Sequence, residues 1–168
     1  SRIGGEVKNT VIFAHSNKGH EGYLGDSVIG EWCNMGADTN NSNLKNNYEE
    51  VKLWSYETEG FAKTGLQFCG LMMGDHSKCG INTMFNTGTV VGVSANIFGT
   101  GFPRNFIPSF SWGGASGFTT YVTKKAFETE ISLRENEDIP KNFDSNYSKT
   151  CYAIQSLERL IEIMKEYQ

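Results

Sequence analysis

Residues 73–99 read MGDHSKCGINTMFNTGTVVGVSANIFG and contain an apolar repeat with a period of six. The repeated residues are Met73, Cys79, Phe85, Val91 and Ile97. Glycine directly follows three of them, Met73, Cys79 and Val91. A helix would need spacings of three and four, and a hairpin would need alternation, so neither accounts for this period. A parallel β-helix does, because six residues form one flat side and the apolar residue points into the interior. The repeat therefore predicts an all-β solenoid.

The same repeat occurs earlier in the chain, at Ile29 and Met35, each followed by glycine. Small residues and asparagines suit the corners of a solenoid, where left-handed backbone must be tolerated. Those expected at or near corners are Asn82, Asn86, Ser94 and Asn96. A β-sandwich with glycine-rich turns is the alternative, but it does not explain five consecutive apolar positions spaced by six.

The repeat divides the chain into a solenoid over residues 1–101 and an extension over residues 102–168. An insert at about residues 44–70 interrupts the solenoid. Val51 and Leu53 alternate with polar residues there, which predicts a hairpin-like loop that leaves the solenoid.

The segment GFPRNFIPSFSWGGASGF at residues 101–118, where the extension begins, is expected to form an ordered aromatic loop over the end of the solenoid. A C-terminal α-helical cap is predicted after it, with a first helix at about residues 123–137. The second helix carries an apolar stripe of Ile154, Leu157, Ile161 and Met164, which predicts packing against the solenoid or a neighbouring subunit.

Composition excludes several classes of function. The 168 residues carry 15 basic and 19 acidic side chains, a net charge of −4, so we expect no nucleic acid as a partner. No apolar run is long enough to span a bilayer, and no signal peptide is recognisable, so we expect no membrane association. The four cysteines form no C-x-x-C pair, and Cys33 and Cys79 are expected to be small buried side chains. A cytoplasmic location follows, and no cluster has the ligand spacing of a metal site.

Two further segments, EVKNTVI at residues 6–12 and KGHEGYLGDSVIGEWCNMGA at residues 18–37, resemble a known family. It is the C-terminal acetyltransferase domain of the bifunctional N-acetylglucosamine-1-phosphate uridylyltransferase/glucosamine-1-phosphate N-acetyltransferases. The spacing from Lys8 through His20 to Asn34 agrees without gaps, and the long insert and the aromatic tail resemble a sugar nucleotidyltransferase-related branch. The resemblance implies a left-handed parallel β-helix of hexapeptide repeats, a homotrimer with active sites between subunits, and UDP-GlcNAc biosynthesis.

The resemblance also implies roles for individual residues. His20 matches the general base, and a neutral imidazole is suited to take a proton from an amine that attacks a thioester. Lys8 and Tyr23 match residues that hold the sugar phosphate or its nucleotide, and Asn34 matches a sugar contact. Ala37 and Asn43 match positions beside acetyl-CoA, the expected co-substrate.

The chain departs from the family pattern mainly on the acetyl-CoA side. Leu44 stands where the family has tyrosine, Asp38 where it has glycine, and Ile81 where it has serine. The expected function is an acyl-CoA-dependent N-acetyltransferase-type domain that acts on an amino-sugar 1-phosphate or nucleotide sugar. The alternatives are an inactive trimerisation scaffold and a nucleotide-sugar-binding regulatory module. The chain is expected to be part of a longer protein with an N-terminal nucleotidyltransferase domain.

Overall fold

A computed structural model describes residues 1–122 together with Lys125 and Glu128. In chain order, the strands in this part are β1 (Arg2–Ile3), β2 (Glu6–Lys8), β3 (Val11–Ile12), β4 (Asn17–Lys18), β5 (Tyr23–Gly25), β6 (Val28–Ile29), β7 (Asn34–Met35), β8 (Asn40–Asn41), β9 (Lys52–Ser55), β10 (Gly60–Lys63), β11 (Leu71–Met73), β12 (Lys78–Cys79), β13 (Met84–Phe85), β14 (Thr89–Val91), β15 (Asn96–Ile97), β16 (Phe106–Ile107), β17 (Ser111–Gly114) and β18 (Gly117–Thr120). Most have two or three residues, as expected for the short sides of a solenoid.

The strands form three faces around a common interior, which we call the shaft. Face 1 consists of β1, β4, β7, β12, β15 and β17, and face 3 of β3, β6, β11, β14 and β16, all paired in parallel. Face 2 consists of β2, β5, β8 and β13. One circuit of the three faces is a coil. The predicted parallel β-solenoid is confirmed, and it is consistent with the left-handed form that the resemblance implies.

The six-residue repeat supplies the interior of the shaft. Met73, Cys79, Phe85, Val91 and Ile97 are all at most 4% exposed and belong to one apolar cluster with Ile29 and Met35. Successive members lie on faces 3, 1, 2, 3 and 1, so each residue of the repeat covers one side of a coil.

The corner between faces 3 and 1 has the same backbone conformation in five coils. Its left-handed residues have φ between 51° and 59° and are His15, Trp32, His76, Ser94 and Phe110. The first three stack, with ring centroids 4.2 Å apart for His15 and Trp32 and 6.1 Å apart for Trp32 and His76. Among the predicted corner residues, Asn82 is also left-handed at φ 58°, whereas Asn96 lies in β15.

The insert forms the predicted hairpin, because β9 and β10 pair antiparallel. It does not project away from the solenoid as expected. Leu53 and Val51 are buried against Val28, Met72 and Val90 on the outer side of face 3. Apolar residues in β9 and directly before it therefore cover the apolar outer surface of this face.

The solenoid continues beyond residue 101, where the sequence analysis ends it. β16 pairs with β14 on face 3, and β17 pairs with β15 on face 1, before β18 turns back antiparallel to β17. The predicted C-terminal helices, at about 123–137 and around the stripe from Ile154 to Met164, lie outside the described residues except for Lys125 and Glu128. Within the described part, no helix has the length and apolar character needed to cross a membrane.

Candidate functional site

His20 lies on a short turn between β4 on face 1 and β5 on face 2, and its side chain is exposed. The turn, residues 19–22, fits closely between the neighbouring coils. A Cβ on Gly4 would lie 2.7 Å from the carbonyl oxygen of Gly19, and a Cβ on Gly22 would overlap the carbonyl oxygen of Thr39. Gly22 also has φ +110°, which side-chain-bearing residues rarely adopt. The backbone that carries His20 is thus enclosed from both sides.

A buried lysine holds the same turn from inside the shaft. Lys18 is 2% exposed, and its Nζ donates to the carbonyl oxygens of Gly4 at 3.2 Å, His20 at 2.6 Å and Glu21 at 3.0 Å. Burial lowers the pKa of Lys18, while the nearby carboxylates of Glu21 and Asp38 act in the opposite direction. The ammonium therefore faces the backbone of the His20 turn.

Sequence reasoning missed Lys18, although a signal was present. Lys18 lies six residues after Ile12 and six before Leu24, so it occupies a position of the repeat that should point into the shaft. The interior residue in the corresponding strand of the next coil is Met35, and it is followed by Cys79 in the coil after that.

A second group of predicted residues meets at the other end of β5. The ring of Tyr23 lies over Gly25, and its hydroxyl oxygen accepts a hydrogen bond from Nδ2 of Asn43 at 2.9 Å. Nδ2 of Asn43 also donates to Oδ2 of the buried Asp26 at 2.5 Å. Oδ1 of Asp26 accepts from Nδ2 of Asn9 at 2.7 Å. The amide of Asn43 is thus oriented by two partners within the chain.

This network leaves a hydroxyl proton available on Tyr23. Burial raises the pKa of Tyr23, the carboxylates of Asp26 and Glu6 raise it further, and the hydrogen bond from Asn43 opposes them. Because the phenol stays protonated and accepts from Asn43, it can still donate to a ligand oxygen. Lys8 is exposed opposite Gly25 in the β2–β5 ladder, next to the position that the ring covers.

The structure distributes the six predicted site residues over three neighbouring places. His20 and Ala37 lie at the corner between faces 1 and 2, where the amide of Asp38 donates to the carbonyl oxygen of Glu21 at 3.0 Å. Lys8, Tyr23 and Asn43 lie at the far end of face 2. Asn34 is exposed on face 1, and its Oδ1 accepts from Nδ2 of Asn17 at 2.9 Å.

Two of the residues that depart from the family pattern, Leu44 and Ile81, lie at different places on the solenoid. Leu44 pairs with Phe68 where the insert leaves and rejoins the solenoid, and its carbonyl oxygen accepts from the hydroxyls of Ser42 and Thr87. Ile81 is 69% exposed at the corner between faces 1 and 2. Among residues 1–122, Lys125 and Glu128, no three His, Cys, Asp or Glu side chains are grouped as metal ligands.

The chain is similar to several archaeal and bacterial proteins. It is 38% identical over 89 residues to the bifunctional protein GlmU of Methanocaldococcus jannaschii, covering 52% of this chain and 21% of that protein. It is 37% identical over 94 residues to a bifunctional sugar-1-phosphate nucleotidylyltransferase/acetyltransferase of Sulfurisphaera tokodaii, covering 55% and 23%. The match to GlmU of Nocardia farcinica is 36% over 104 residues, covering 61% and 17%.

No protein-family model matches the chain. The chain spans about a fifth of the length of the curated relatives that it matches. Over about half of its own length it is similar to bifunctional sugar-1-phosphate nucleotidylyltransferase/acetyltransferases.

Proposed function

We propose that this chain contains an acyl-CoA-dependent N-acetyltransferase-type domain of a sugar nucleotidyltransferase. Its substrate is an amino-sugar 1-phosphate or a nucleotide sugar, and its co-substrate is acetyl-CoA. The observation that carries the proposal is the exposed His20 on a closely packed turn, in a chain similar to bifunctional nucleotidylyltransferase/acetyltransferases. A cytoplasmic role in UDP-GlcNAc biosynthesis is part of the same proposal.

The reaction needs a base that removes a proton from an amine. His20 takes this proton as the amine nitrogen attacks the carbonyl carbon of the thioester. A C–N bond forms, the C–S bond breaks, and the sulfur leaves as a thiolate that is then protonated. A positioned general base contributes about 10²- to 10⁴-fold to such a rate.

The remaining residues hold the two substrates. Lys8 supplies a positive charge and Tyr23 a hydroxyl proton, both of which suit phosphate oxygens. Asn34 contacts the sugar from face 1. Ala37 and Asn43 lie beside acetyl-CoA, where Ala37 leaves space and Asn43 acts through its contact with Tyr23.

A homotrimer is also part of the proposal. Because the hairpin β9–β10 covers face 3, faces 1 and 2 are left for contacts between subunits. The same two faces and their shared corner carry Asn34, His20 and Tyr23. A site between subunits would therefore be completed where the proposed catalytic residues lie.

The second candidate is a non-catalytic domain, either a trimerisation scaffold or a regulatory module that binds a nucleotide sugar. It is favoured by the residues at the positions expected to bind acetyl-CoA. Both protons of the Asn43 amide are used within the chain, and Leu44 and Ile81 present apolar side chains at positions where the family has polar ones.

Calorimetric titration with acetyl-CoA, in the absence and presence of glucosamine-1-phosphate, tests the proposal. We expect saturable binding of both ligands to the wild-type chain and formation of N-acetylated sugar, followed by mass spectrometry. His20→Ala should reduce turnover by about 10²-fold or more while both ligands still bind. The matched control is His15→Ala, which removes another exposed histidine at a different corner.

Each other outcome favours a different function. No heat with acetyl-CoA at millimolar concentration, but binding of a nucleotide sugar, would replace the enzyme by the regulatory module. A trimer that binds neither ligand would support the scaffold. Equal loss of turnover in His15→Ala and His20→Ala would remove His20 from the role of base.

A further inference from the structure

Lys18 occupies a position for which stability alone would favour an apolar residue. It points into the shaft in line with Met35 and Cys79 and is almost completely buried. Burying an ammonium costs free energy unless hydrogen bonds compensate it, and a packed apolar side chain of similar volume is often as stable or more stable. A methionine at this position would continue the interior of face 1 without that cost.

The hydrogen bonds of Lys18 all go to one small region of backbone. Its three N–H groups match the three carbonyl oxygens within reach, those of Gly4, His20 and Glu21. Two of these carbonyls belong to the turn that carries His20, and the third belongs to the preceding coil. The ammonium thus has no donor left for a substrate, so any effect on chemistry must pass through the turn.

Backbone contacts on the other sides of the turn hold the carbonyl oxygens of Glu21 and Gly22, which accept from the amides of Asp38 and Glu6, but within the described part of the chain they do not hold that of His20. Gly4 and Gly22 allow the neighbouring coils to approach closely, and the amide of Asp38 donates to the carbonyl oxygen of Glu21. The carbonyl of His20 is directed into the shaft by the 2.6 Å bond from Lys18. Rotation of this peptide group would change the direction in which the imidazole leaves the backbone.

We propose that Lys18 is a positioning residue for His20, and that its buried ammonium fixes the peptide groups on which the imidazole is mounted. The inference rests on the proposed function in taking His20 as the base. A misplacement of about 1 Å can reduce a rate by roughly 10²-fold, so loss of these bonds should act on turnover. Binding of the substrates should change little, because Lys18 contacts neither.

The experiment uses Lys18→Met in the full 168-residue chain. We expect kcat to fall by about 10- to 100-fold, with KM for both substrates within about twofold of wild type. The matched control is Cys79→Ala, which removes interior volume from the same face two coils away. It should lower the melting temperature without lowering kcat, which separates positioning from general loss of stability.

A second measurement does not depend on turnover. The chain has three histidines, so the imidazole Hε1 signals can be assigned by nuclear magnetic resonance with single His substitutions. In Lys18→Met, the signal of His20 should shift and broaden, while those of His15 and His76 stay unchanged. If Lys18→Met does not fold, Lys18→Gln, which keeps one donor group, is judged by the same criteria.

The outcomes separate this inference from the proposed function. An unchanged His20 signal, or a fall in kcat shared equally by Cys79→Ala, would overturn the positioning role. A changed His20 signal in a chain that never transfers an acetyl group would support the positioning role and remove the proposed function.

Discussion

Face 3 and face 1 belong to the same coils, but their outward side chains differ in polarity. The interior residues of face 3 are apolar in every coil, and so are the residues just before them, which point outward. These outward residues are Val11, Val28, Met72, Val90 and Phe106. On face 1, the outward residues of the inner coils are Asn17, Asn34, Lys78 and Asn96.

The difference explains how the insert folds. Because both sides of face 3 are apolar, its outer side needs a cover, and Val51, Leu53 and Trp54 of the hairpin region supply it. The ring of Trp54 stacks on Phe106 with centroids 4.1 Å apart. Face 1 is apolar on its inner side except at Lys18, and the outward residues of its inner coils are polar, so it can face solvent or a ligand. The inward residues thus specify the shaft, and the outward ones specify what covers each face.

The largest expected effect comes from a charge on the outer side of face 3. Met72 is fully buried between this face and the hairpin, so Met72→Asp should lower the free energy of unfolding by about 4 kcal/mol or more. Urea denaturation measures this change. The matched control on face 1 is Asn34→Asp, which is exposed and should change the free energy by less than about 0.5 kcal/mol. Similar costs at the two positions would mean that the hairpin does not cover face 3.

A smaller effect is expected within the hairpin itself. Leu53 is 4% exposed and packs on Val28, Met72 and Val90, so Leu53→Ala should cost about 2–4 kcal/mol. Its neighbour Lys52 is exposed on the same strand, and Lys52→Ala should cost less than about 0.5 kcal/mol. Denaturation followed by tryptophan fluorescence compares the two variants. A hairpin that projected into solvent would make both changes nearly neutral.

The six-residue repeat was sufficient to predict the shaft, because the consecutive apolar residues from Met73 to Ile97 fill the interior. It was not sufficient to locate every corner. Asn96, expected at or near a corner, lies in β15 two residues after the left-handed Ser94, since an outward position on face 1 accepts a polar side chain as readily as a corner does. The burial of the outer side of face 3 could also have been predicted from the sequence. A strand that is buried on both sides needs consecutive apolar residues, and these occur as the pairs Val28–Ile29, Met72–Met73 and Val90–Val91.

The end of the solenoid and the support of the candidate site were harder to predict. After Ile97 a loop takes the place of the face 2 strand, so Ile107 follows at a spacing of ten rather than twelve and the repeat is hidden. Lys18 was hidden by its charge, because hydropathy gives no sign that an ammonium will be satisfied by three carbonyl oxygens. The roles of His20, Lys8 and Tyr23 came from the resemblance, since their spacing places them on one solenoid but specifies no substrate.

The smallest expected effect is on the reactivity of the buried cysteines. It distinguishes the interior of the shaft from the apolar layer between face 3 and the hairpin. Burial raises the pKa of Cys33 in the shaft and of Cys69 in the face 3–hairpin layer to about 12, and it also raises the pKa of Cys79. The thiolate is the reactive form, so these thiols should stay unreactive toward a disulfide reagent at pH 8 in the folded chain. A Cys151→Ser background removes the cysteine outside the described residues.

Adding Leu53→Ala to this background turns the measurement into a comparison of layers. Because Leu53 belongs to the same apolar cluster as Cys69, its loss should speed labelling of Cys69, while Cys33 and Cys79 stay protected inside the shaft. Mass spectrometry of peptides from the labelled chain identifies which thiol has reacted, and labelling in denaturant gives the fully reactive reference. Equal acceleration at all three cysteines would mean that the hairpin and the shaft open together. Selective labelling of Cys69 would mean that the hairpin can separate from face 3 while the coils that carry His20 remain folded.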